Sequence, residues 1–295
     1  MVDLDQKLRS AFRLGNQVFP NPVWLASGTA GFGEELAQIM DLNQLGGLVL
    51  KGTTLLPKEG NPTPRLVATP SGLLNSIGLQ NPGLEVVLKD KLALFKKFQV
   101  PVILNIAGGD EKDYALMAKR IAAAPRVQAV EINLSCPNVQ KVMDNGTDPA
   151  WVENVTRLVK KELKIPVIAK LTPNVTDITL LARAAENGGA DAVSLINTLK
   201  GMAFNLKTQQ PVLANRVGGL SGPAIRPIAL RMVYETAQKI KIPIIGMGGI
   251  TKKQDILEFF CAGATAVQIG TLSFLDLREL KNILSACADG SATMV

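Results

Sequence analysis

Cys136, two lysines and a series of asparagines are the residues of this 295-residue sequence best suited to chemistry. Cys136 follows a run that reads as a buried strand, Ala129-Val130-Glu131-Ile132-Asn133-Leu134, and Pro137 comes directly after it. A free cysteine commonly packs as a small buried hydrophobe. At a strand end it can instead serve as a tuned thiol, a base or a nucleophile. The sequence has no histidine, which removes Ser-His-Asp and Cys-His systems and His-ligated metals. Proton transfer then falls to Cys, Lys, Tyr, Ser/Thr or a carboxylate. The other cysteines, Cys261 and Cys287, are distant and form no CxxC with Cys136. That spacing argues against a disulfide framework, a zinc site or a four-cysteine iron–sulfur cluster in this chain. Cys261, in LEFFCAGA, reads as part of an apolar helix face in the core, and Cys287 carries no signal.

Further polar residues gather at the ends of apolar runs: Ser27, Lys51, Asn105, Asn133, Lys170, Asn197 and Thr198. A buried strand has little use for Lys or Asn unless each is paired. One such residue would mean little, but a set at equivalent ends of six successive runs marks a polar pocket.

The elements that must position them alternate. Eight short apolar runs read as strands: 22–28, 46–54, 101–108, 129–136, 166–173, 192–198, 243–249 and 266–270. Helical-period segments separate them. Asp148 with Pro149 opens one helix, with Val152, Val155, Leu158 and Val159 on its apolar face. Thr176 and Gly188 bracket the next, and Thr251 and Gly263 a third. Eight strands alternating with helices predict an α/β chain folded as one (β/α)8 TIM barrel over 1–295, with extended loops at the carboxyl face of the strands. The competing architecture is an open doubly wound sheet, but no GxGxxG follows the first strand. Two connections, 55–82 and 199–223, are too long for plain turns and read as elaborations, lids or ligand loops.

GMGGI (246–250) and IGT (269–271) place glycine turns after the last two strands, the usual phosphate site of this barrel, and GGLSGPAI (218–225) adds a third. A phosphate site beside a polar pocket suggests a phosphorylated cofactor. Two lysines and many amides suit a flavin, whose reduced ring carries charge that a cation stabilises. A strand-end lysine also suits a Schiff-base aldolase, with Lys170 or Lys51 as nucleophile.

The net charge is +7, but the basic residues are scattered as short pairs on helix faces, which speaks against nucleic acid. No apolar run is long enough to span a bilayer, and the N-terminus lacks the apolar core of a signal peptide. A cytoplasmic protein is expected.

NLSCPN (133–138), KLTPN (170–174), NSIGLQNPG (75–83), INTLKGMA (196–203), GGLSGPAI and GMGGI together resemble class 1 dihydroorotate dehydrogenase, from about residue 14 to about 273. NTLKGMAFNLKT and GGLSGPAIRPIALRMVYE are similar to subtype B, the NAD-linked form. The resemblance implies an FMN-containing barrel that oxidises dihydroorotate to orotate in pyrimidine synthesis. It implies Cys136 as the general base on a lid loop. It places Lys51, Asn75, Ser76, Ile77, Gly78, Leu79, Asn133, Asn197 and Thr198 at the substrate. It places Ser27, Lys51, Gly52, Asn105, Asn133, Lys170, Ile196, Gly222, Gly248, Gly249, Gly270 and Thr271 at the flavin, with no metal. Subtype B further implies a partner subunit carrying FAD and a [2Fe–2S] cluster, and a homodimer of catalytic subunits within a heterotetramer.

The sequence departs from the subtype in the lid, VQKVMDNGTDP (139–149), at Leu272 after IGT, and in a C-terminal helix that looks short and altered. A fumarate-dependent subtype A enzyme, a related flavin dehydrogenase acting on dihydropyrimidines and a non-catalytic flavin-binding protein are the neighbouring readings.

Overall fold

The computed structural model of the protein describes residues 3–124, 126–134 and 146–288. Eight parallel strands close into a barrel: β1 (Val23–Leu25), β2 (Gly47–Val49), β3 (Val102–Ile106), β4 (Ala129–Asn133), β5 (Val167–Lys170), β6 (Ala192–Leu195), β7 (Ile244–Met247) and β8 (Ala266–Ile269). Each strand pairs with the next in sequence, and β8 closes on β1 with Gln268 opposite Trp24. All eight expected strands are present, and the cyclic order excludes the open sheet. The helices are α1 (Leu4–Arg9), α2 (Leu84–Lys89), α3 (Glu111–Ile121), α4 (Pro149–Glu162), α5 (Ile178–Asn187), α6 (Arg226–Ala237), α7 (Lys253–Cys261), α8 (Leu272–Leu275) and α9 (Leu277–Ala288). None of the described helices is long and apolar enough to cross a membrane.

Alternation along each strand divides the side chains between helix-facing and interior positions. At the amino end the interior is apolar. Trp24, Val49, Ile103, Ala129, Ile168, Ala192, Ile245 and Ala266 pack with Phe12, Leu14 and Phe19 of an N-terminal hairpin (Phe12–Leu14 with Gln17–Phe19), which plugs that end. Phe19 stacks on Trp24 with ring centroids 4.5 Å apart, and Phe12 lies 5.3 Å from Phe19. Gly47 leaves room for this layer, since a Cβ there would meet Ile103 at 2.8 Å and Trp24 at 3.0 Å. Five of the next interior positions, Asn105, Glu131, Lys170, Ser194 and Gln268, are buried and polar. An apolar base and a polar upper layer give the barrel a direction, with its open chemistry at the carboxyl ends of the strands.

The two long connections build one structure together. Leu66–Thr69 and Gly72–Asn75 from the first, and Leu199–Gly201 and Gly218–Ser221 from the second, form a four-stranded antiparallel sheet. Gly72–Asn75 pairs directly with Gly218–Ser221, with Asn75 opposite Gly219.

The helix ends follow the local sequence with corrections. Asp148 caps α4 as expected, its carboxylate accepting from the Ala150 N–H at 2.9 Å. The α5 cap is Asp177 rather than Thr176, because its carboxylate accepts from the Thr179 N–H at 2.9 Å. α7 begins one residue later than expected. The Asp255 side chain reaches back to the Thr251 N–H and hydroxyl at 2.8 and 2.9 Å, so Lys252 takes the capping position. Cys261 is not in the core. The buried face of α7 is Asp255, Ile256, Phe259 and Phe260, and the next residue turns about 100° away into solvent. Cys287 is buried on α9 and donates to the Ile283 carbonyl at 3.2 Å. Leu272, one of the departures, is buried in the core.

Candidate active site

A cavity of about 400 Å³ opens at the carboxyl ends of the strands, between the barrel and the sheet formed by the two long connections. That is the size range of small-molecule and cofactor sites. Most of the expected site residues line it. β1 and β2 lead into Ser27, Lys51 and Gly52, and β4 and β5 end in Asn133 and Lys170. The segment after β6 gives Ile196, Asn197 and Thr198. The first long connection gives Asn75, Ile77 and Leu79, and the turns give Gly222, Gly248, Gly249, Gly270 and Thr271.

Three described residues of the expected set do not reach the cavity. Ser76 is fully buried and its hydroxyl accepts from Asn61 Nδ2 at 3.0 Å and Asn215 Nδ2 at 3.2 Å. Gly78 supplies a left-handed turn at φ +77° that presses against Asn61. Both shape the 75–83 loop from behind. Asn105 lies one layer below the floor. Cys136, and 139–145 of the altered lid, lie outside the described residues.

Local hydrogen bonds fix the walls. Asn81 is buried and holds both sides of its loop, donating to Thr54 Oγ1 at 2.8 Å and the Leu79 carbonyl at 2.7 Å while accepting from the Gly83 N–H at 2.8 Å. Asn174, in KLTPN, donates to the Thr198 carbonyl at 3.1 Å. Asn75 Nδ2 donates to the Gly219 carbonyl at 3.2 Å, and Tyr114 to the Asn133 carbonyl at 2.7 Å.

The electrostatics are positive at the mouth. Lys51 is half-buried, and burial holds its ammonium below the ordinary lysine range. The nearby Arg65 guanidinium adds to the shift and Glu35 opposes it. Arg65 lines the cavity and donates to Gln80 Oε1 at 2.7 Å. Neither Arg65 nor Gln80 was expected, because an arginine in a long connection has no periodicity to place it.

Beneath the floor lies a network that sequence reasoning also missed. Glu131 accepts from Asn105 Nδ2 at 2.7 Å, Ser194 Oγ at 2.9 Å and Gln268 Nε2 at 2.8 Å, and Lys170 Nζ lies 3.5 Å from it. The available signal was a carboxylate at an interior position of an apolar strand, which needs partners. Asn105 Oδ1 and Gln268 Oε1 are buried acceptors without a partner among the described residues. Gln268 lines the cavity, where a ligand with ring N–H groups supplies the donor that such a group calls for.

The glycine turns form a tight corner of the cavity. A Cβ on Gly249 would fall 2.8 Å from the Gly222 carbonyl and from Arg226 Cβ, and one on Gly248 would fall 2.9 Å from Ala229 Cβ. Thr271 donates to Ser221 Oγ at 2.9 Å across the same corner. Arg226 pairs with the buried Asp255 beside it. Lys and amide donors beneath a wide cavity, orphaned acceptors and a glycine-lined corner together fit a phosphorylated flavin.

Comparison with known proteins agrees with this geometry. The dihydroorotate dehydrogenase family model matches residues 10–288. A protein of Geobacillus sp. (strain WCH70), named dihydroorotate dehydrogenase B (NAD(+)), catalytic subunit, is 51% identical over 278 residues, covering 94% of this chain and 89% of its own length. Proteins of the same name from Bacillus cytotoxicus (53% over 278 residues, 92% and 90% covered) and Desulforamulus reducens (52% over 279 residues, 94% and 92%) are similar to it throughout. The chain belongs to the dihydroorotate dehydrogenase family.

Proposed function

We propose that the chain is the catalytic subunit of an NAD-linked dihydroorotate dehydrogenase, oxidising dihydroorotate to orotate with one FMN per chain. The observation that carries this reading is identity of 51–53% across about nine-tenths of relatives bearing that name. The NAD(+) in those names favours a pyridine-nucleotide acceptor over fumarate. A catalytic subunit implies a separate partner, which we take to carry FAD and a [2Fe–2S] cluster around a dimer of catalytic chains.

When bound, FMN would supply the hydride-accepting chemistry that the oxidation of dihydroorotate needs. This chain does the rest. Lys51, with Asn75 and Asn197, holds the substrate carboxylate and ring amides, where paired donors and acceptors give specificity. Asn133, Lys170 and Thr198 complete the walls. The corner at Gly222, Gly248, Gly249, Gly270 and Thr271 holds the phosphate. Cys136 takes the C5 proton, a role that rests on the NLSCPN resemblance. The sheet of the two long connections covers the cavity and limits water. Lys170 is disfavoured as a Schiff-base nucleophile because it is buried against Glu131 and already engaged, and membership of the dihydroorotate dehydrogenase family disfavours the same role for Lys51.

Orotate formation measured with NAD, with and without the co-expressed partner, tests the assignment. Cys136→Ala is expected to lower turnover at neutral pH by about 10²–10⁴-fold with FMN content unchanged. Unimpaired turnover would contradict the base assignment.

A further inference from the structure

Glu131 is fully buried in β4 and belongs to no step so far described. Its carboxylate joins four other strands. Asn105 of β3, Ser194 of β6 and Gln268 of β8 donate to it within 2.9 Å, and Lys170 of β5 lies 3.5 Å away. Every partner offers a donor, which is the surrounding of an ionised carboxylate. Lys170 and Gln268 also line the cavity, so a negative charge lies one layer beneath the floor and its counter-charge lies at the floor. Burying an ion pair does little for stability that well-packed apolar residues could not do. The barrel already has an apolar layer below this one. A carboxylate kept here at such a cost points to the ligand above it.

We propose that Glu131 is a positioning residue for the redox reaction. It orients Lys170 and the Gln268 amide at the floor of the cavity that would hold the flavin, and it partly neutralises Lys170, setting the reduction potential of the bound flavin. The physical basis is the charge that the reduced ring carries near N1, which a cation stabilises and an anion opposes. In a buried site both effects are weakly screened. Lys170 alone would make the flavin a stronger oxidant and a poorer electron donor. Lys170 with Glu131 leaves it able to release electrons. The proposal deepens the function given above and rests on FMN occupying this cavity.

The test is the midpoint potential of bound FMN, measured by equilibration with a reference dye in the parent chain and in variants. Glu131→Gln keeps the shape and removes the charge. It is expected to retain FMN and to raise the reduced-to-oxidised ratio at fixed potential at least tenfold, about 30 mV for a two-electron couple. Lys170→Gln, which leaves the carboxylate unopposed, is expected to move the ratio the other way by a similar factor. A flavin-saturated Glu131→Gln with a ratio within threefold of the parent overturns the proposal, even if its melting temperature falls. Should Glu131→Gln lose FMN, Glu131→Asp replaces it, drawing the charge back by one methylene. A rise of at least threefold supports the proposal, and no rise overturns it. Loss of FMN from both variants assigns Glu131 to the fold alone and overturns it as well. A parent chain that takes up no FMN refutes the cofactor reading itself, an outcome distinct from all of these.

Discussion

Gly219 and Thr198 meet so closely that a Cβ built on Gly219 would lie 2.0 Å from the Thr198 hydroxyl. Gly219 belongs to one long connection, pairs with Asn75 of the other, and backs a residue that lines the cavity. Gly219→Ala therefore pushes Thr198 into the substrate side while leaving the glycine corner untouched. Overpacking of this kind costs about 1–3 kcal/mol. Orotate affinity is expected to fall about tenfold or more with FMN content unchanged, as titration of the loaded protein would show.

The amino end of the barrel is expected to govern stability alone. Trp24 is fully buried and stacked on Phe19 at 4.5 Å and Phe12 at 5.6 Å. Trp24→Ala should cost about 3–5 kcal/mol, read as a lower denaturation midpoint. The FMN that remains bound below that midpoint should react with dihydroorotate as in the parent.

Lys51 gives the site a pH dependence with a definite sign. Below its midpoint it is cationic and attracts the orotate carboxylate. As pH rises through the midpoint the charge is lost and affinity falls. Burial lowers that midpoint beneath lysine's ordinary 10.5, so the loss sets in at lower pH than for an exposed lysine. Orotate Kd measured across the alkaline range should show this, and Lys51→Arg, whose guanidinium stays charged, should remove that pH-dependent loss.

The two described cysteines should separate cleanly in thiol labelling. Cys261 is exposed. Burial pushes the Cys287 thiol up to about 12 and keeps it protonated. At pH 8, peptide mapping after brief labelling of the native protein should find Cys261 modified and Cys287 modified only after unfolding. Because the Cys287 midpoint is raised above its ordinary 9.0, its contribution to stability is present below that pH and is lost as pH climbs toward 12.

The barrel was legible because each buried parallel strand is a compact apolar run with its own boundary, Pro before Val102, Val167 and Ile244, or Ala-Val at Ala129, Ala192 and Ala266. The cavity walls were legible because Lys51, Asn133 and Lys170 are costly where strands are apolar. The sheet over the mouth was not, since pairing Asn75 with Gly219 spans 144 residues and leaves no local pattern. The role of Glu131 is not legible for a related reason: its partners come from four other strands, and only closure of the barrel assembles them. The exposure of Cys261 is not legible because LEFFCAGA is apolar on both sides of the residue, and only the helix phase set by Phe259 and Phe260 turns it outward.

The visible spectrum of the FMN-loaded chain before and after anaerobic addition of dihydroorotate tests the central claim most directly. The expected result is a yellow protein whose flavin absorption bleaches rapidly as orotate appears in equal amount. A chain that cannot be loaded with FMN, or a flavin spectrum that dihydroorotate leaves unchanged, would contradict the account.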